Sequence, residues 1–435
     1  MSPGSFADLF RFYLALFMSP NNALLLGEPV FKILGFRRRA RDTDLLAAKR
    51  ILVIRLDEIG DVVLTSPLLR ELRRSCPNAW ITLVVTPLLH NLVEQCPYVN
   101  EVLTYDPWIN GRLTTLRLHK RALHLSFHDL WPKRFDLALL PRWDTDYYHG
   151  AFLLYFSGAN LRAGYSARVN DTKRKKDGSL DCLFTHLLTT NAVKHEVERN
   201  LELLTLLGKR PADHSLEIWT EALDETFASR LLSKNGVQMN ETLVAFGIGA
   251  GAPKRIWPLT NFENLGEWLI EKYQARIVLV GGQEERLQAK ILHQHLGDKC
   301  IDTVTRTTLR QTAAVLKRCH LFVGNDAGPM HLAAAAGTAI VEISCHPLGG
   351  SAAHPNSPLR FGPWGVPHLV LQPEVPMGAC VEGCKANQPH CILGVDLDMV
   401  KEGIVHVLNR NAFNGQQLNK RTDRVMRDAP SVQSR

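Results

Sequence analysis

Short apolar runs alternate with helical segments along this chain, and the alternation occurs twice, on either side of one polar stretch bearing Gly and Pro. In the first round residues 51–55, 80–85, 102–105 and 135–140 read as strands. Helices are expected over 61–74, bent near Pro67, and over 88–95. In the second round 243–246, 276–280, 321–323 and 339–343 read as strands, with helices over 262–273, 309–316 and 329–336. Strands that are apolar throughout are covered on both faces, which calls for a parallel sheet with crossover helices. The 435 residues exceed what one ordinary core organises. An α/β chain with two sheets is therefore expected, in domains 51–212 and 213–395, joined at the polar stretch 208–212, with a closing helix over 396–413.

The two ends stand outside this pattern. Phe6, Leu9, Phe10, Tyr13, Leu14 and Phe17 recur at helical spacing, and Arg37, Arg38, Arg39 and Arg41 follow. Within this N-terminal extension, 1–50, a helix packed on the body beside a solvated charge run is the favoured reading. An amphipathic contact with an anionic inner-membrane surface is the alternative. Residues 414–435 are polar and expected to be disordered. No run of 18 uncharged apolar residues occurs, so no membrane-spanning helix is expected. Residues 1–18 lack a basic leader and a small-residue cleavage site. Nine cysteines, an odd number, then read as reduced thiols in a cytoplasmic setting. A net charge of +8 suits anionic substrates, and no nucleic-acid motif accompanies it.

Three turns carry residues suited to chemistry. Gly60 lies where the first strand hands over to the first helix, and Asp61 follows at the carboxyl edge of the sheet, where open α/β folds bind ligands. Asp61 is either a plain helix cap or a carboxylate that takes a proton from an attacking hydroxyl, with Asp57 and Glu58 as nearby substitutes. The second turn, Gly324 to Gly337, leads from a strand through Asp326 and Gly328 into a short helix carrying His331. Free N–H groups at that start favour a phosphate; His331 is placed to donate to it and Asp326 to orient sugar hydroxyls. The third turn, Gly247 to Pro258, sets glycines after a strand and then Lys254 and Arg255, which suits a diphosphate. Its loose G-x-G-x-x-A match does not make a dinucleotide site, because Pro253 and Pro258 obstruct a helix and the next strand ends in Gly281 and Gly282.

Two further patterns read as structural. Asp144 and Asp146 form an Asp-x-Asp triplet that another transferase class uses for metal, but here a polar loop is expected. Cys380, Cys384 and Cys391, with His390 beside them, do not follow a standard zinc spacing and are expected to form a thiol cluster without metal.

Taken together, these segments resemble glycosyltransferase family nine, the bacterial lipopolysaccharide heptosyltransferases. The likeness is carried by residues 51–56 with 59–67, by 254–258, by 278–282 with Glu284 and Glu285, by 324–334, by 195–200, and by the Cys380–Cys391 region. The resemblance implies a GT-B fold, two Rossmann-like domains facing across a cleft, with the acceptor on the first and the nucleotide sugar, typically ADP-heptose, on the second. It implies that Asp61 is the general base and that Lys254 or Arg255 neutralises the donor diphosphate. Asp326, Gly328 and His331 match the donor loop, and Glu284 or Glu285 stands where the ribose is held. Two positions depart from the family pattern. Ile256 intervenes before Trp257, and Ala327 replaces a hydroxyl residue.

The expected reaction is an inverting, metal-independent transfer without cofactor to a glycan or lipid-linked glycan such as lipopolysaccharide core. Acceptor-binding residues are not legible. Two alternatives remain: another GT-B reaction such as sugar-nucleotide epimerisation, which needs no acceptor, and a non-catalytic nucleotide- or glycan-binding protein at the membrane, which binds donor without turnover.

Overall fold

The computed structural model describes residues 19–36, 48–109, 114–238 and 241–409. The chain divides into two compact units, Met1–Trp219 and Thr220–Arg435. The division falls after the 208–212 stretch, because 213–219 is held to the first unit. Arg70 forms ion pairs with Asp213 at 3.2 Å and Glu217 at 2.6 Å. The Phe6–Phe17 pattern, the Arg37–Arg41 cluster and residues 414–435 lie outside the described residues.

The first unit holds one six-stranded sheet: β1 (Arg50–Ile54), β2 (Trp80–Val85), β3 (Glu101–Thr104), β4 (Leu137–Leu140), β5 (Leu161–Tyr165) and β6 (His186–Leu188). The second unit holds another: β7 (Leu243–Gly247), β8 (Arg276–Val280), β9 (Cys300–Asp302), β10 (Leu321–Asn325), β11 (Ala339–Ile343) and β12 (His368–Leu371). Every pairing is parallel. The first sheet runs β3-β2-β1-β4-β5-β6 and the second β9-β8-β7-β10-β11-β12. Both therefore share one doubly wound order, in which the chain reverses direction between the first and fourth strands of each unit. Ligands of such sheets bind outside the carboxyl ends of those two strands. The two crevices, after β1 and β4 and after β7 and β10, are where each unit is built to hold something.

The eight strands read from sequence are present, with ends moved by a few residues. Four went unread. In β5 the charge of Arg162 breaks the apolar run, yet the side chain is buried, donating to the carbonyls of Leu183 at 2.6 Å and Ala159 at 3.0 Å. β6, β9 and β12 are short strands at sheet edges, too brief to leave a pattern. The expected helix 61–74 is two helices, Ile59–Val63 and Ser66–Ser75. Pro67 lies in the first turn of the second, where its missing N–H costs nothing.

Before β1, the helix Pro20–Ile33 is capped by the Ser19 hydroxyl and seats Ala23 and Phe31 in the first core. Phe31 meets Tyr155 edge-on at 5.4 Å, and the Tyr155 hydroxyl donates to the Ala23 carbonyl at 3.1 Å. The described part of the N-terminal extension thus packs on the body. Residues 397–409 are helical and close the second core through Val400, Ile404 and Val407. Among the described residues, no helix is long and apolar enough to cross a membrane.

Candidate active site

In the first crevice, the turn after β1 leads into the short helix Ile59–Val63 with Asp61 as its third residue. Asp61 accepts the Glu58 backbone N–H at 3.3 Å, so the capping role is real. The same carboxylate also meets the Arg55 guanidinium at 2.7 Å and keeps 20% of its side chain exposed. The two other carboxylates of the turn are less suited to take a proton. Asp57 is almost wholly buried and paired with both Arg55, at 3.0 Å, and Arg142. Glu58 accepts the Tyr148 hydroxyl at 3.0 Å on the exposed side.

Arg55 is the keystone. It contacts Asp57, Asp61 and the carbonyl of Pro141, the residue after β4, so one guanidinium spans both lips of the crevice. Burial pushes the Asp61 carboxyl above the usual aspartate range; the Arg55 charge pulls it back and the Asp144 charge pushes it further up. A raised carboxyl pKa suits a general base, because proton transfer is favoured when its pKa approaches the operating pH.

The residues of the 195–200 segment act at a distance. The Asn200 amide donates to the Leu64 carbonyl at 2.9 Å, fixing the junction after the Asp61 helix. The Arg199 guanidinium stacks on the Trp143 ring at 3.6 Å. The two Asp146 oxygens accept N–H groups from Tyr148, Gly150 and Ala151 at 3.2, 3.0 and 2.7 Å, at the start of the helix Gly150–Phe156.

In the second crevice, β7 and β10 approach closely at Gly247 and Gly324, which pair in register. A Cβ on Gly324 would stand 2.6 Å from the Gly247 carbonyl oxygen. Past them, Asn325 is fully buried and ties the turn together. Its oxygen accepts the Trp257 N–H at 3.0 Å and its amide donates to the Ile248 carbonyl at 3.1 Å. Trp257, also fully buried, donates its ring N–H to the Val395 carbonyl at 2.7 Å.

This framework separates the two candidate cations. The Arg255 guanidinium lies 3.5 Å from the Asp326 carboxylate, and its Nε is buried with no partner among the described residues. The Lys254 ammonium instead donates to the Cys384 carbonyl at 2.7 Å. Arg255 therefore belongs to the cluster with Asp326 and His331, while Lys254 is fastened to a neighbouring segment.

His331 is buried, and its Nδ1 has no partner among the described residues. Burial pulls its pKa down to about 4, with Asp326 opposing and Arg255 assisting, so it is a neutral donor and not a cation. The helix Gly328–Ala335 offers fewer free donors than its sequence suggests. Ala327, in the capping position, has no side-chain acceptor, Pro329 has no N–H, and Met330 donates to the Ala327 carbonyl at 3.0 Å.

Glu342, at the fourth position of β11, was not singled out in the sequence. It is buried beside this cluster with Oε2 unpartnered, and burial together with the Asp326 charge drives its pKa well above the ordinary range. One acid inside a strand of apolar neighbours was its legible signal. Glu285 folds back over the loop, accepting the Gly282 N–H at 2.7 Å, and a Cβ on Gly249 would come within 2.1 Å of it. Glu284 points to the exposed side. Of the two expected ribose contacts, Glu285 is the one held against the glycine turn.

The Cys380, Cys384 and Cys391 thiols and the His390 ring come together, with one ligand atom from each within 4.8 Å of the others. All nine cysteines of the chain are free thiols.

A sequence profile of glycosyltransferase family 9 (heptosyltransferase) matches residues 127–346, half of the chain. The chain belongs to this family. The matched span takes in Lys254, Arg255, Glu284, Glu285, Asp326, Gly328 and His331, and begins after Asp61. A lipooligosaccharide heptosyltransferase 2 of Haemophilus ducreyi is 26% identical over 300 residues, covering 66% of this chain and 80% of that one. Among solved structures, a family 9 glycosyl transferase from Veillonella parvula superposes with a TM-score of 0.69 at 21% identity, covering 83% of this chain and 98% of that one. The Escherichia coli ADP-heptose lipopolysaccharide heptosyltransferase II gives a TM-score of 0.61 at 20% identity, covering 83% and 99%. This family 9 glycosyltransferase thus has the GT-B architecture of two Rossmann-like domains, and the sheets above are those domains.

Proposed function

We propose that this enzyme transfers a heptose from ADP-heptose to a lipopolysaccharide-core acceptor with inversion at the anomeric carbon. The donor and acceptor classes follow from the names of its relatives, a lipooligosaccharide heptosyltransferase 2 and an ADP-heptose lipopolysaccharide heptosyltransferase II. The observation that carries the chemistry is the contrast between Asp61 and its neighbours. Asp61 has a raised pKa, an open edge and an ion pair to Arg55, whereas Asp57 is buried between two arginines.

In this reading Asp61 takes the proton of an acceptor hydroxyl. The oxygen forms its bond to the anomeric carbon as the bond from that carbon to the diphosphate oxygen breaks. The electron pair departs with ADP. Arg255 and the neutral His331 N–H stabilise the growing negative charge on the diphosphate, with the Gly328 N–H at the helix start. Asp326 and Glu285 orient the hydroxyls of sugar and ribose. Arg255 supplies the charge that a metal supplies in other transferases, so turnover needs no added divalent metal.

The test is a donor screen on the purified chain. Melting temperature is followed with ADP-, GDP-, UDP- and dTDP-sugars, because a ligand that binds only the folded state raises it. Product formation is then assayed with core acceptor and the best donor. Stabilisation by ADP-heptose and acceptor-dependent release of ADP are expected. Preference for another nucleotide contradicts the donor assignment, and interconversion of the donor without acceptor contradicts the transfer.

A further inference from the structure

We infer that Cys380, Cys384, His390 and Cys391 form a tetrahedral zinc site that fastens the donor-side loop of the second unit. The His390 Nδ1 lies 3.7 Å from the Cys380 sulfur, 3.9 Å from that of Cys384 and 3.4 Å from that of Cys391. Zinc bonds of about 2.3 Å to sulfur and about 2.0–2.1 Å to nitrogen, arranged tetrahedrally, place sulfur and nitrogen about 3.6 Å apart. The three nitrogen–sulfur distances fall close to that value, and all four ligand atoms lie within 4.8 Å of one another.

Burial supports the same conclusion. The three cysteines are 5%, 2% and 0% exposed, and they join the hydrophobic core of the unit. Three thiols and an imidazole crowded in an apolar setting have little reason to converge unless something binds them. A Cys₃His set is an established structural zinc combination. The Lys385 N–H points at the Cys380 sulfur at 3.4 Å, an orientation that favours a thiolate. The spacing of three and six intervening residues hid this from the sequence, because the ligands come from an irregular loop and not from a recognised finger.

The position of the cluster gives it a consequence. The Cys384 carbonyl accepts the Lys254 ammonium, the Glu382 carbonyl accepts the Ser351 N–H at 2.9 Å, and the Val395 carbonyl accepts the Trp257 ring N–H. The segment that the metal ties therefore anchors the turn bearing Lys254, Arg255 and Trp257. Zinc here positions the loop and does not take part in the transfer. This second part rests on the donor reading above, whereas metal binding does not depend on it.

The test is elemental analysis of the full chain, purified without added metal or chelator, with no donor present. About one zinc per chain is expected, falling to under a fifth in Cys384→Ser and Cys391→Ser. Because those variants risk misfolding, the natural chain provides an independent readout. Exchange of its metal for cobalt(II) should give the strong visible bands of a tetrahedral ion with thiolate charge transfer. Removal of the metal with chelator should lower the melting temperature and, on re-addition of zinc, restore it. Less than a tenth of an equivalent of metal, a full equivalent of iron in place of zinc, or a Cys380–Cys391 disulfide in the native chain each overturns the assignment. If zinc is found and no sugar nucleotide binds, the donor reading fails while the metal site stands.

Discussion

The two crevices occupy the same place in two sheets of the same strand order, yet they handle charge in opposite ways. In the first, Arg55 and Arg142 close on Asp57 in a compact buried ion network, and Asp61 is joined to it by one partner. In the second, an ion pair spans 3.5 Å, and Arg255 Nε, His331 Nδ1 and Glu342 Oε2 have neither a hydrogen bond nor an ion pair among the described residues, whereas Arg55 Nε and Asp57 Oδ1 of the first crevice sit in ion pairs. A buried polar atom without a partner is costly, and a bound ligand is one way such an atom is satisfied. The first crevice is thus a rigid mount for one carboxylate. On the proposed reading, the second is a receptor whose polar atoms meet a charged ligand. In that reading, a common architecture holds a base in one sheet and binds a diphosphate in the other.

The sharpest way to break this contrast is to damage the mount. Asp57→Asn leaves two buried guanidinium groups without their shared anion, and breaking a buried pair in this way costs about 3–5 kcal/mol. Denaturant unfolding of the first unit should show that loss, with donor binding to the second unit unchanged. Next in size is the receptor. Arg255→Ala removes a hydrogen bond to a charged group, and about 1.5–3 kcal/mol corresponds to a 10- to 100-fold weaker donor Kd. Lys254→Ala should weaken donor binding several-fold less, measured by titration calorimetry, because its ammonium is engaged by Cys384.

A comparable free energy is expected in the pH dependence of stability. His331 is held neutral, its pKa falling from 6.5 to about 4 on folding. The unfolded state therefore binds its proton first as pH drops. Stability present above pH 6.5 is lost between 6.5 and about 4, by about 3 kcal/mol at one unit per 1.36 kcal/mol. The melting temperature of His331→Asn should be less sensitive to acid across that window than that of the natural chain. The smallest effect belongs to Glu342. Burial and the Asp326 charge favour its neutral form, so Glu342→Gln should change unfolding free energy at pH 7 by no more than about 0.5 kcal/mol, followed by denaturant unfolding. A large loss would mean that Glu342 is ionised and paired.

Much of this arrangement was legible in the sequence. Strands 51–55, 243–246 and 321–323 announced themselves because a strand covered on both faces has no polar interruption. Asp61, Arg255, Asp326 and His331 were singled out because they follow such strands at glycine turns, the place where the doubly wound order opens a crevice. Arg142 and Glu342 were missed for a different reason. Arg142 reaches Asp57 across 85 positions of sequence, and only the pairing of β1 with β4 brings them together. Lys254 and Arg255 stood open for the same reason, since what separates them is the Lys254 bond to Cys384, a residue of a distant loop. Burial of β5 around Arg162 was equally unreadable, because the carbonyls that satisfy that charge come from other segments.

The central claim is that Asp61 is the base, and the most direct measurement compares Asp61→Asn with the natural chain at saturating donor and acceptor. Asparagine keeps the shape and the N–H acceptor of the cap but cannot take a proton. The account predicts a fall in kcat of about 10²–10⁴-fold, with donor Kd within a factor of two and a cooperative thermal unfolding transition retained. A kcat within a few-fold of the natural value would contradict it.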